Sequence, residues 1–297
     1  MKNRTILYIF LITAFFISQL HADELSDIEL EITKVKNNIY MLEGVNGFAG
    51  GNIAVSAGED GILIVDDQLP PMSKIIEQAL SKIHPGSVRY ILNTHWHRDH
   101  TGGNAHFSDH AVVIAHTNVR KRLMEEQKGF FGVTPAQPKQ VWPIITFDQS
   151  ITIHFNDETI KVLHYPNGHT DGDGIIIFVE SNVAHLGDLL FTDMFPFVDL
   201  DSGGNVFNFI ENIKEIMSIL PKDVKIIPGH GSLTDMDGLK KHYGMLVETS
   251  NYVKNKVTQG VSLEKIKQEG LPKKWESFGQ GFIKEKNWIT FIYQSLQ

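Results

Sequence analysis

Cysteine is absent from all 297 residues. Its absence excludes disulfides, thiolate ligands and cysteine nucleophiles, so an exported chain of this kind must be stabilised by its core or by metal. Positive charge is also scarce: 27 Lys and Arg stand against 35 Asp and Glu, for a net charge of −8. Binding a phosphate backbone needs clustered cations, so no nucleic-acid partner is expected and a small molecule is. Internal repeats, low-complexity tracts and Pro/Ser linkers are missing as well. The one long apolar run, "ILYIFLITAFFI", is short for a membrane span and follows Lys2 and Arg4. It reads as the apolar region of a signal peptide, residues 1–22, cleaved near Ala22 in "QLHA". The expectation is a secreted or periplasmic protein with no membrane attachment after cleavage; the rival reading is an uncleaved anchor.

What remains is ordinary globular composition, 42% hydrophobic and 21% charged, enough for a large core. Apolar runs bounded by turn residues, among them "NIYMLEG", "GILIVDD", "VRYILN", "GIIIFVE" and "VKIIPGH", read as strands. "ITIHFNDETIKVLHY" reads as a hairpin turning at Asn156 and Asp157. Helical spacing is expected over 72–83, with Ser73 capping, and over 116–128 and 207–220. Strands in two groups with interleaved helices predict two sheets packed face to face with helices outside, a four-layer αββα sandwich of the α/β class. Residues 23–235 are expected to form that catalytic domain. Residues 236–297 are expected to form a helical extension packed on it, either as a cover or as a subunit contact.

One stretch stands apart: "ILNTHWHRDHTGGNAH", in which His95, His97, Asp99 and His100 crowd together past a strand-like run. A spacing of two points the imidazoles of His95 and His97 the same way along an extended segment, where they can share a cation with a third His from elsewhere. Asp99 continues that alternation and His100 faces differently, which makes a second, adjacent metal sensible. Three neutral imidazoles leave Zn²⁺ an open position for water, as in catalytic sites. Gly102 and Gly103 are read as letting a helix start close beside the cluster. The chain has 14 histidines. His21, His84, His110, His154 and His242 lack clustered partners and are assigned to packing or surface; His106, His116, His164 and His185 lie outside the spacing. Other candidate ligands also follow strand-like runs: Asp66 in "LIVDD", His169 in "NGHTDGD", Asp188 in "HLGDLLF" and His230 in "IPGHG". If those strands end at one edge of the sandwich, their loops meet in a cleft.

"HWHRDH" resembles the His-x-His-x-Asp-His signature of the metallo-β-lactamase superfamily, and the four other segments resemble that family's remaining motifs in order, over about residues 35–235. The resemblance implies an αββα sandwich with a dinuclear cleft at one edge. It implies a first metal on His95, His97 and His169, a second on Asp99, His100 and His230, and Asp188 bridging. Asp66 would accept the far N–H of a ligand histidine; otherwise it is a turn residue at a strand end. The activity implied is hydrolysis by a metal-bound hydroxide, with Asp99 orienting the nucleophile. Two Zn²⁺ per chain are expected, and the hard oxygen of a bridging Asp admits Fe or Mn. Asp188 departs from the Cys or Ser common in true β-lactamases and resembles glyoxalase II-like thioesterases and lactonases. The leading expectation is an exported, β-lactamase-like hydrolase opening a cyclic amide or ester. The alternatives are a lactonase or thioesterase, and a mononuclear-iron enzyme like the persulfide dioxygenases. Phe48, at the tip of "GVNGFAGGN", and Trp96, between two ligands, are candidate substrate contacts. The loops 128–143 and 191–205 are candidate cleft walls, although Phe195, Phe197 and Trp142 read equally well as packing. No cationic substrate anchor is assigned.

Overall fold

The structure, a computed structural model, describes residues 27–297; the expected leader, 1–22, lies outside the described residues. The chain runs through β1 (Glu29–Lys36), β2 (Ile39–Val45), β3 (Ile53–Gly58), β4 (Gly61–Val65), helix α1 (Ser73–Ile83) and β5 (Val88–Leu92). The short helices α2 (Arg98–Thr101) and α3 (Asn104–Phe107) lead to β6 (Val112–His116), α4 (Thr117–Met124), the small hairpin β7 (Gln127–Gly129) and β8 (Gly132–Thr134), and β9 (Ile145–Phe147). Next come β10 (Ser150–Phe155), β11 (Glu158–His164), β12 (Gly174–Phe178), β13 (Val183–His185), helix α5 (Val206–Ile219), β14 (Lys225–Ile227) and β15 (Thr234–Asp235). Helices α6 (Met236–Thr258), α7 (Leu263–Glu269) and α8 (Glu285–Gln294) complete the chain.

One sheet has the order β1-β2-β3-β4-β5-β6-β9 and the other β10-β11-β12-β13-β14-β15. β4, β5, β6 and β9 run parallel, so their carboxyl ends share an edge. β13 and β14 are also parallel and do the same in the second sheet. Alternate side chains of each strand face inward. Met41, Leu63, Val65 and Leu92 of the first sheet meet Ile160, Val162, Ile176 and Phe178 of the second in one buried cluster. Ile76 and Leu80 of α1 cover the outer face of the first sheet. Phe209 and Ile213 of α5, Leu239 and Leu246 of α6, and Trp288 and Ile292 of α8 cover the second. These are the four layers of the αββα sandwich. Each fully buried Leu, Ile or Phe contributes about 1.5–3 kcal/mol, which lets the fold stand without disulfides. No helix among the described residues is long and apolar enough to cross a membrane.

Two local expectations are corrected. Ser73 begins α1 but does not cap it: its hydroxyl donates to the Pro70 carbonyl at 2.9 Å, closing a 3-10 turn over Pro70–Met72 that feeds the helix. The helix expected over 116–128 stops at Met124, because Gln127–Thr134 pair as a hairpin. As expected, a helix, α3, starts directly after Gly102 and Gly103 with Gly103 at its N-cap; α2, which begins at Arg98, is an additional turn before the pair. The hairpin at Asn156 and Asp157 is found, both residues taking the left-handed φ (54° and 60°) that a tight two-residue turn requires.

Candidate metal centre

The carboxyl ends of β4, β5, β11, β13 and β14 deliver every candidate donor to one edge of the sandwich. Asp66 directly follows β4 and turns at a left-handed φ of 64°, which sends its carboxylate back under the neighbouring loop. Its Oδ1 accepts the Thr94 N–H and its Oδ2 the Thr94 hydroxyl, each at 2.8 Å. Oδ2 also accepts Nδ1–H of His100 at 2.8 Å. Thr94 has given its proton to Asp66, so its oxygen accepts Nδ1–H of His95 at 3.0 Å. His97 donates Nε2–H to Asp199 at 2.9 Å, and His169 donates Nδ1–H to the Phe197 carbonyl at 2.8 Å. These outer partners assign the tautomers and turn the other nitrogen of all four rings inward, free of a proton wherever the ring is neutral.

The inward nitrogens converge. Nδ1 of His97 lies 3.0 Å from Nε2 of His95 and 3.0 Å from Nε2 of His169. Nε2 of His100 lies 3.3 Å from Nε2 of His230. Between neutral rings, lone pairs at such distances repel one another, and a shared cation is the group that relieves them. Asp188 stands between the two sets. Its Oδ2 is 3.4 Å from His169 and 3.9 Å from His95; its Oδ1 is 3.2 Å from His100 and 3.5 Å from His230. Oδ1 is buried and has no hydrogen-bond donor among the described residues. Asp99 Oδ2 lies 3.4 Å from His230 and 3.7 Å from His100. Two donor groups result, His95/His97/His169/Asp188 and Asp99/His100/His230, and each has the chemistry to hold a divalent cation. Asp99 and His100 reach the second group through the helical turn of α2 rather than through the strand alternation expected of Asp99.

In the bare chain the two groups titrate differently. Burial, with His100 nearby, holds His95 well below the usual imidazole range, and burial holds His169 at about 4. Burial opposes charge on His230 too, but the Asp188 and Asp99 carboxylates overcome it and raise that ring to about 9. His100 is raised in the same way, by Asp188, Asp99 and Asp66 against its own burial. Asp188 is held far below the carboxylate range by the surrounding imidazoles, despite burial. Backbones approach closely to make room: a Cβ on Gly51 would run into the His100 ring, and one on Gly229 into the Asp188 carboxylate.

Of the candidate substrate contacts, Phe48 lies open (56% exposed) and stacks over His230 at 5.9 Å. Trp96 borders the cleft, but most of its ring packs with Val119, Leu123 and Val141. Phe195 is core, whereas Phe197 faces the His97 and His169 rings. Sequence reasoning missed Asp199 and Thr94, both of which orient donor rings. It also missed Asp173, a buried carboxylate that accepts the His169 and Thr170 N–H groups and shapes their loop; burial pushes it up to about 8. A signal for Asp199 exists in "DLDS", an Asp three residues before Ser, because its carboxylate caps a 3-10 turn by accepting the Ser202 N–H.

Comparison with known proteins agrees with this geometry. An uncharacterized protein of Aquifex aeolicus is 31% identical over 183 residues, 60% of this chain and 83% of that one. A hydroxyacylglutathione hydrolase of Pelagibacter ubique is 29% identical over 170 residues, 57% of this chain and 60% of that one. Among solved structures, a metallo-beta-lactamase from Pontibacter korlensis superposes with a TM-score of 0.60 at 17% identity, over 73% of this chain and 99% of that one, a likeness of fold. The model of the metallo-beta-lactamase superfamily matches residues 47–243, about two thirds of the sequence and every candidate donor. The chain belongs to the metallo-beta-lactamase superfamily and is a metal-dependent hydrolase of a small-molecule substrate.

Proposed function

We propose that this chain is an exported hydrolase that holds two zinc ions and opens a cyclic ester or amide, β-lactamase-like in its site. The observation that carries the reading is Asp188, with one carboxylate oxygen turned to each donor group. One metal would lie on His95, His97 and His169 and the other on Asp99, His100 and His230, with Asp188 between them. The second donor group is what favours two metals over a single iron. Zinc so held would supply a water with its pKa lowered to about 7 and positive charge to offset the charge that develops during hydrolysis.

The protein's own groups do the rest. Asp99, lining the cleft and kept ionised by His100 and His230 against its burial, accepts a hydrogen bond from the attacking water and orients it. Thr94, Asp66, Asp199 and the Phe197 carbonyl hold the rings still, so little reorganisation accompanies the reaction. Phe48 over His230 screens one side of the site from water.

A thioesterase reading is favoured by relatives named hydroxyacylglutathione hydrolase. The largely apolar lining supports a substrate of low charge over a glutathione thioester. Among the described residues the cleft's Lys and Arg lining is Arg98 and Lys128, and Lys128 stands 3.8 Å from Glu126. A glutathione moiety carries two carboxylates and offers this cleft little in return.

The test is ring opening of β-lactams and lactones by the zinc-loaded protein, with a chelator control and hydroxyacylglutathione as competitor. A chelator-sensitive kcat/KM of about 10⁴ M⁻¹s⁻¹ or more on a ring substrate is expected. Turnover of the thioester alone would replace the proposal with the second reading. Detection of the protein in the periplasm or medium tests export.

A further inference from the structure

Eighteen phenylalanines occur in the sequence. Among the described residues four of them are left exposed: Phe48 (56%), Phe130 (49%), Phe131 (71%) and Phe282 (44%). All four line the one cleft that opens on the two donor groups, a cavity of about 370 Å³. Aromatic side chains leave water readily, so four exposed rings around a single opening mark a surface shaped to be covered.

The rings form two opposing faces. On the side of His230, Phe48 stacks at 5.9 Å and Phe282 packs at 5.7 Å, the latter also 5.8 Å from Phe191. On the side of His97 and His169, Phe197 supports Phe131 at 4.9 Å and Phe130 at 5.8 Å. The second face is carried by the β7–β8 hairpin, which is pinned at its base. Arg122 makes a two-pronged contact with Asp171, both bonds 2.8 Å, and donates to Gln127 Oε1 at 2.8 Å. At the tip Phe130 also meets Phe291 at 5.4 Å, and nothing stands within 4 Å of a Cβ built on Gly132. Phe282 comes from the C-terminal segment between α7 and α8, so that segment is part of the site wall as well as a cover for the second sheet.

We propose that these faces form a subsite for an apolar alkyl or aryl group carried by the substrate, and that Phe131 and Phe282 set how much of that group is gripped. The inference rests on the hydrolase reading for the position of the reacting bond. It adds the chemical class of the rest of the substrate: an apolar body, with no charged groups beyond the one or two that Arg98 and Lys128 can face.

The experiment measures binding of 2-alkylcyclopentanones, ring ketones that cannot be hydrolysed, to the zinc-loaded protein by calorimetry, with the alkyl chain lengthened from ethyl to hexyl. Affinity is expected to rise by up to about fourfold for each CH₂ buried. Phe131→Ala and Phe282→Ala should each flatten that rise, Phe131→Trp should restore it, and bound zinc should stay constant throughout. No dependence on chain length, or a dependence that survives both alanine variants, overturns the subsite. So does tighter binding of S-hexylglutathione than of 2-hexylcyclopentanone. Ring opening of unsubstituted lactones with a flat series also overturns it while leaving the hydrolase reading in place. A steep, phenylalanine-dependent series without any ring opening supports the subsite and removes that reading.

Discussion

His95, His100 and His169, where the two sheets end, and His242, on the face of α6 turned to the core, are buried to the same degree, none more than 2% exposed. Around the first three, every outward nitrogen has a named acceptor and every inward one faces another donor. Among the described residues neither His242 nitrogen makes a well-formed hydrogen bond, although the Phe191 backbone lies beside the ring, and Phe209 packs against it at 5.9 Å. Burial alone therefore does not mark chemistry. The difference lies in whether the surroundings fix a tautomer and aim the lone pair at something.

That contrast can be broken from either side. The largest effect is expected at the converging rings. His97→Ala should take hydrolysis to background and remove the first metal together, read by metal content after desalting and by turnover. Asp188→Ala should lower bound zinc from two equivalents toward about one, because the carboxylate facing both groups is gone; unchanged metal content and rate would defeat its placement between them. Next comes the orienting shell. Asp199→Ala leaves Nε2–H of His97 without an acceptor and should cost about 10- to 100-fold in zinc affinity. Asp199→Asn, which keeps an acceptor oxygen, should lose less. The smallest effect belongs to His242 and should appear only in stability. Burial lowers its pKa from 6.5 to about 3, so as pH falls the unfolded chain takes up this proton first. Its neutral burial is fully stabilising above pH 6.5 and loses about 1.4 kcal/mol per unit as pH falls from there toward 3. His242→Leu should remove that slope, seen as a urea midpoint differing less between pH 5 and pH 7.5, with zinc content unaltered.

Much of this was legible in the chain. The donor residues sit just past apolar runs, and a parallel run of strands puts their ends at one edge, so position in sequence translated into position in space. The layers were legible for the same reason: period-two and period-3.6 patterns each bury one face. What was not legible arises from contacts across the chain. Asp199 lies 102 residues from His97 and carries no motif of its own; only the packing of its loop brings the two to 2.9 Å. The β7–β8 hairpin was hidden because three-residue strands are too short to show alternation. The sequence does not single out Phe282 within the C-terminal extension, since nothing local distinguishes a ring that packs inward from one that lines a cleft. The helical turn at Arg98–Thr101 escaped notice because four residues closed by a glycine pair leave no periodic trace.

The donors come from both halves of the sandwich: His95, His97, Asp99 and His100 follow the first sheet, whereas His169, Asp188 and His230 follow strands of the second. A cation gripped there is a rivet through the two sheets, in a chain that has no cysteine to make a covalent one. Because the unfolded chain offers these seven side chains only as scattered ligands, tight capture draws the folding equilibrium toward the docked sandwich by RT ln(1 + [metal]/Kd). Metal starvation would then lower the stability of the docked sandwich, an effect set by ion concentration rather than by the amount of apolar surface buried.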